Sequence, residues 1–225
     1  MSWVTSGQST TRILSERLSV FVTAVVDPPW PYQPRGDKHV NGSGYVEYDT
    51  LTIKDLCALP VGEQVGGYLF LWTTAPMILE APKLIEAWGF KYATMLTWVK
   101  RTTSGGLAYG AGYWYRGCAE FVMVAKKPVM SSVRTHERNA FEAQIRGASE
   151  KPEVLQDHIE RHYPGPYLEL FARRQRPGWT CLGNECPGDE QDIRKSLLTV
   201  ETPTSTVFPR FKKSTASWQL TKEDR

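Results

Sequence analysis

Near its start the chain carries a run that can only be a buried strand, and proline ends it. Leu18-Ser19-Val20-Phe21-Val22-Thr23-Ala24-Val25-Val26 is apolar and β-branched, and it runs straight into Asp27-Pro28-Pro29. Such a run reads as a strand covered on both faces, as in a parallel sheet. Beyond it, helix and strand signals alternate. Thr52 to Leu59 spaces Ile53, Leu56 and Leu59 for one helix face. Tyr68 to Thr73 is a second strand. Pro76 to Trp88 has helical spacing with Gly89 as its stop, and Pro82 inside it demands a kink or a late start. Tyr92 to Val99 and Ala119 to Ala125 are further strands. Lys151 to His162 is a helix with Pro152 in its first turn, and Tyr167 to Ala172 is a fifth strand. Strands alternating with helices predict an α/β sheet with substantial parallel character. In such sheets ligands bind beyond the carboxyl ends of strands, which is where Asp27 stands.

The 225 residues suit one domain, with eight Trp and no internal repeat. Residues 1–17 are polar and read as a flexible start, 18–202 as the folded domain, and 203–225 as a flexible polar tail. No apolar run approaches the ~18 residues of a membrane span, and the first residues lack a secretory pattern. Cys57, Cys118, Cys181 and Cys186 form no C-x-x-C and read as free thiols. The expected location is cytoplasmic. Net charge is only +3, which excludes a histone-like binder. Residues 91–151, however, hold 10 basic and 4 acidic side chains, a local excess that would attract a polyanion.

Asp27-Pro28-Pro29-Trp30 is the sharpest candidate site. A residue before proline is kept extended, so the Asp27 carboxylate projects from the strand end. Two prolines stiffen the turn and leave carbonyls as acceptors. Trp30 offers a flat surface on which a base can stack. Rigid acceptors beside a stacking surface suit a planar ligand with an exocyclic amine. That amine is a poor nucleophile, and acceptors fixed on its N–H bonds favour the localised lone pair that attacks a methyl donor.

From about Val25 to Glu185 the chain resembles the MT-A70 family of S-adenosylmethionine-dependent adenine-N6 methyltransferases. The matching segments come in the family's order. They include Asp27-Pro28-Pro29-Trp30, Leu69-Phe70-Leu71-Trp72-Thr73, Thr97-Trp98-Val99-Lys100, Gly112-Tyr113-Trp114, Lys151-Pro152-Glu153, Glu169-Leu170-Phe171-Ala172-Arg173 and Gly183-Asn184-Glu185. The resemblance implies a Rossmann-like class I methyltransferase fold with permuted motif order, in a single three-layer domain. The catalytic tetrapeptide comes early and the strand that usually opens the cofactor site comes late, which accounts for the absence of an early G-x-G-x-x-G.

It also implies roles. Asp27, Lys151, Glu169, Phe171, Arg173, Asn184 and Glu185 would hold S-adenosyl-L-methionine. Lys151 pairs with its carboxylate, Asn184 and Glu185 with its ribose or adenine, and Asp27 serves both donor and target amine. Tyr48 and Glu120 are the substrate contacts the resemblance implies, to which the sequence adds Trp98 and Lys100 as an aromatic and a cation at a strand end and Arg116 as a candidate phosphate contact. Tyr48 lies in a Gly-rich loop, residues 36–48, able to close on substrate. Arg134, Arg138 and Arg146 are further candidates for phosphate. Glu120 is followed by Phe121, a departure from the family's more usual acid–His pairing. His158 and His162 are spaced i, i+4, but no H-E-x-x-H and no nearby third ligand accompanies them. They read as helix-surface histidines, and no metal is expected.

The favoured function is N6-adenine methylation of DNA, on a flipped or single-stranded base. The same reaction on RNA is the alternative. A catalytically silent binding partner ranks lower because the tetrapeptide is intact, and Trp30 in place of tyrosine argues against cytosine-N4 chemistry. A homodimer or a paralogous partner subunit is compatible with the sequence.

Overall fold

The computed structural model describes residues 20–32, 49–110, 112, 114–147, 149–189 and 192–200. The segments read as flexible, 1–17 and 203–225, the loop 36–48 and Tyr48 with it, all lie outside the described residues.

Seven strands form one sheet: β1 (Phe21–Val26), β2 (Val65–Thr73), β3 (Lys91–Arg101), β4 (Ala119–Lys126), β5 (Ala140–Gln144), β6 (Tyr167–Leu170) and β7 (Trp179–Leu182). Their order is β5-β3-β4-β2-β1-β6-β7. The β1–β2, β1–β6, β6–β7 and β3–β5 pairs are parallel, and β4 is antiparallel to both of its neighbours. β4 is therefore the one described strand that opposes the rest. The helices are α1 (Ile53–Cys57), α2 (Val61–Gln64), α3 (Ala81–Ala87), α4 (Val154–His162) and α5 (Ile193–Thr199).

Alternation along each strand supplies two cores. Ala24, Val26, Leu69, Leu71, Leu168 and Leu170 point to one face, where they meet Leu56 of α1, Leu84 of α3 and Leu197 of α5. Val25, Phe70, Trp72, Val122 and Val124 point to the other, against Leu155 and Ile159 of α4. Helices on both faces of one sheet make a three-layer Rossmann-like domain, as expected.

The helix expected over Pro76 to Trp88 is divided. A 3₁₀ turn, Ala75–Met77, precedes α3, and Pro82 sits in the first turn of α3. That is the late start proline permits, because a first-turn N–H needs no helical partner. α4 begins at Val154, so Lys151 stands outside it, on the stretch that leads in. Trp72, Trp88 and Trp179 are buried. No described helix is long and apolar enough to cross a membrane.

Candidate active site

Strand register levels the site. Val26 is opposite Leu71 on one side and Leu170 on the other, so β1 and β6 end together while β2 runs two residues further, and Asp27 emerges between them. Glu120 opens the reversed strand β4 opposite Trp98, one position past the Phe121–Thr73 pair, and so reaches the same rim. The chain leaves β1 for β2 on one side while β6 joins it on the other. The rim above β1 is therefore a topological switch point, where α/β sheets leave a crevice.

Four charged side chains meet there. Lys151 Nζ donates to Asp27 Oδ2 at 2.7 Å and lies 3.4 Å from Glu120 Oε2. Lys100 Nζ donates to Glu120 Oε1. Burial pushes the Asp27 carboxyl above its ordinary value, more than the Lys151 ammonium pulls it down. Burial also opposes the charge on Glu120, but there Lys151 and Lys100 prevail and hold the carboxyl below its usual range. Burial would lower Lys151, yet the two carboxylates outweigh it and keep the ammonium protonated. Two acids thus share two ammonium groups in a partly desolvated pocket.

The turn after β1 is fixed by its own backbone. Trp30 N–H donates to Pro28 O at 2.8 Å, and Leu51 N–H to Pro29 O at 3.0 Å. Each proline carbonyl thus already accepts one bond, although a carbonyl has two lone pairs. Trp30 corrects the expectation of a stacking platform. Its ring is 2% exposed and its indole N–H donates to the Trp72 carbonyl at 3.1 Å. Trp30 anchors the turn against the end of β2.

Trp98 needs the same correction. It is 2% exposed, donates to Ala143 O at 2.9 Å and packs edge-on against Trp72 at 78°. Its place on β3 points it into the core on the α4 side, so it is not available to a substrate. Lys100, two residues on, does reach the rim.

The expected cofactor residues gather at the ends of β6 and β7, beside Asp27. Glu169 lies within the sheet, level with Val25 and Cys181, and accepts from Gln156 of α4 at 3.2 Å. Burial raises its carboxyl above the ordinary value. Phe171 turns the chain at φ 61°, a left-handed conformation that non-glycine residues adopt rarely and at a cost. The sharp turn brings Arg173 to Glu185, 3.4 Å apart, with Asn184 exposed next to it. Gly183 makes this possible: a Cβ there would lie 2.3 Å from Ala172 O. An acid, an ammonium and a guanidinium beside exposed amide and carboxylate groups match a ligand carrying an amino-acid moiety and a ribose. The residues present therefore fit S-adenosylmethionine.

Arg116 stands apart from the charged cluster. It is exposed, with its guanidinium 5.0 Å from the Tyr109 ring, on a segment where Trp114 and Tyr115 are 82% and 89% exposed. Arg134, Arg138 and Arg146 are exposed as well.

Two residues at the rim escape the sequence reading. Trp72 floors the site, with Lys151 Nζ 5.6 Å from its ring and its own Nε1 buried without a hydrogen bond among the described residues. Gln156 orients Glu169. Trp72 has a signal in the sequence, as the last large residue of the second strand. Gln156 carries no such signal.

His158 is also unlike its expectation. It is buried, not on the helix surface, and burial, His162 and Arg161 push its imidazole down to about 3. Glu137 lies beside both histidines.

A three-layer Rossmann-like sheet with an acid, two prolines and an ammonium at its switch point defines a nucleotide-cofactor enzyme of the methyltransferase class. The MT-A70 model matches residues 21–185. The chain belongs to that family, whose members use S-adenosylmethionine for N6-adenine methylation. It is 30% identical to the Type II methyltransferase M.MunI of a Mycoplasma species over 188 residues, 74% of this chain and 78% of that one. It is 28% identical to the human N(6)-adenosine-methyltransferase catalytic subunit METTL3 over 178 residues, 76% of this chain but 29% of that protein. An Arabidopsis MT-A70-like N(6)-adenosine-methyltransferase is 29% identical over 177 residues, and 24% of its length is covered.

Proposed function

We propose that this chain methylates the N6 amine of adenine in DNA, with the base flipped out or presented single-stranded. The observation that carries the reading is the Asp27–Lys151–Glu120–Lys100 cluster at the switch point, directly after the Asp27-Pro28-Pro29 turn. S-adenosylmethionine supplies a methyl group made electrophilic by its sulfonium. Asp27 does the rest at the amine. A carboxylate has about four acceptor sites, so Asp27 can hold Lys151 through Oδ2 and an amine N–H as well. Pro28 O has a second lone pair for the other N–H. As the nitrogen gains positive charge, the fixed carboxylate stabilises it and receives the released proton. Lys151 keeps Asp27 in place and offers its ammonium to a carboxylate. Glu120, anchored by Lys100, faces the base. Phe171, Arg173, Asn184 and Glu185 line the cofactor side, with Glu169 supporting from within the sheet.

DNA is favoured because the likeness to M.MunI, named a Type II methyltransferase, spans most of both chains. The RNA reading rests on the N(6)-adenosine-methyltransferases, which are matched over a quarter of their length. A second subunit, identical or paralogous, is compatible with either. The protein is to be incubated with labelled donor and single-stranded DNA, double-stranded DNA or RNA, and the products digested to nucleosides. N6-methyldeoxyadenosine is expected. Label in RNA alone would transfer the assignment to RNA, and N4-methylcytosine would overturn the base.

A further inference from the structure

A second cluster of reactive side chains lies on the α4 face, away from the rim. His158 and His162 stand one helical turn apart, with ring centroids 4.7 Å apart and planes inclined at 48°. Glu137, on the segment between β4 and β5, brings its Oε1 to 3.6 Å from His162 Nε2. One ligand-type atom from each of the three residues lies within 4.8 Å of the other two. His162 Nε2 is buried without a hydrogen bond among the described residues. A cavity of about 390 Å³ opens beside the group, bordered by Thr94, Leu96, Val124, Arg134 and Arg138.

An ordinary ion pair between His162 and Glu137 explains this poorly. The 3.6 Å separation is longer than a hydrogen bond, and such a pair gives no reason for a second imidazole in the same small space. Three groups of metal-ligand type converging from two separate segments call for a shared partner at their centre.

We propose that Glu137, His158 and His162 form a binding site for a divalent transition cation of the zinc type, with a fourth coordination position open to the cavity. Histidines at i, i+4 on a helix are spaced to share one ion. Zn–N and Zn–O bonds of about 2.0–2.2 Å place tetrahedral ligand atoms roughly 3.3 Å apart, so a spread within 4.8 Å needs a closure of about 1.5 Å at most. Two imidazoles and one carboxylate suit zinc and not magnesium or calcium, which take oxygen ligands. Arg134 and Arg138 at the cavity favour water or an anion in the fourth position.

The site is separate from the methyl-transfer rim. His158 and His162 lie within α4, whereas Lys151 precedes the helix and turns to Asp27 and Glu120 at the rim. The ion ties α4 to the segment that feeds β5, and its role is structural.

The test uses the full chain, freed of metal by a chelator and titrated with Zn²⁺ or Co²⁺. One ion per chain is expected, with a raised Tm for Zn²⁺ and visible Co²⁺ bands lacking thiolate charge transfer. His162→Ala and Glu137→Gln, both at partly exposed positions, should fold as judged by circular dichroism and bind at least about tenfold more weakly. No stoichiometric binding, unchanged binding in both variants, or a cobalt–thiolate band from the free cysteines would each overturn the proposal.

Discussion

Asp27 and Lys151 show how much one ion pair can govern. Asp27→Asn keeps the shape of the side chain and removes its charge. The rate of methyl transfer in a single turnover should fall by about 10²-fold or more, the scale of losing one preorganised electrostatic contact. Retention of near-full activity would refute the role given to Asp27. The pH dependence has a defined sign. Asp27 must be ionised to accept the amine N–H, and burial holds its carboxyl above the ordinary 3.8. Activity should therefore decline on the acid side at a pH above that of a solvent-exposed aspartate. Lys151 lowers the Asp27 value, so Lys151→Met should move the acid limb of kcat/KM further up. A limb that stays in place would mean another group controls it. The carboxylate itself was readable in the sequence, because an acid between a buried strand and two prolines is forced out at the strand end. The burial of Trp30 and Trp98 was not, since an aromatic at a strand end looks the same whether it faces ligand or core.

At the level of elements, what was legible was a run continuous enough to show a period. β1, β2, β3, β4 and β6 declared themselves through apolar or β-branched runs, and α4 through its spacing. β5 and β7 were hidden because they are short and stand between polar stretches, whereas β6, equally short at 4 residues, sits inside the longer run Tyr167 to Ala172. α5 does carry a local signal: Asp192 accepts hydrogen bonds from the backbone of Arg194 and Lys195, as an N-cap does. Asp192→Ala should cost about 1 kcal/mol in urea unfolding. α4 is tied to the β6–β7 connection by Arg176 and, through Glu153, by Arg174 at 3.4 Å. Arg176 meets Glu153, Asp157 and Glu160 at 3.3, 2.6 and 2.9 Å. With these carboxylates partly exposed, Arg176→Met should cost about 1–3 kcal/mol by the same measurement. No change in the unfolding midpoint would mean that Arg176 adds nothing to what holds α4.

Over the whole molecule, part of the basic excess lies where the proposed substrate would sit, while Lys91 and Lys126 pair at the opposite end of the β3–β4 ladder. The 10 basic residues between 91 and 151 include Lys100, Lys151 and the exposed Arg116. Binding of a single-stranded oligonucleotide, followed by fluorescence anisotropy, should weaken steeply as salt rises. Arg116→Ala should reduce the slope of log K against log salt by about one. An unchanged slope would remove Arg116 from the phosphate contacts. The architecture as a whole was legible because the order of many short segments, not any one of them, distinguishes a permuted sheet. The clustering of Glu137 with His158 and His162 was not, because it joins residues that only the packing of α4 brings together.

The reversal of β4 has a consequence for how such an enzyme can diversify. Because β3 and β4 run in opposite directions, the connection between them, residues 102–118, leaves and re-enters the sheet at the substrate rim. It is a hairpin loop whose two ends are clamped by the ladder from Val99–Ala119 onward. Its length and composition can change without shifting the register of Lys100 or Glu120. On the proposed function, grafting that one stretch between relatives should exchange target preference and leave the chemistry of the rim intact.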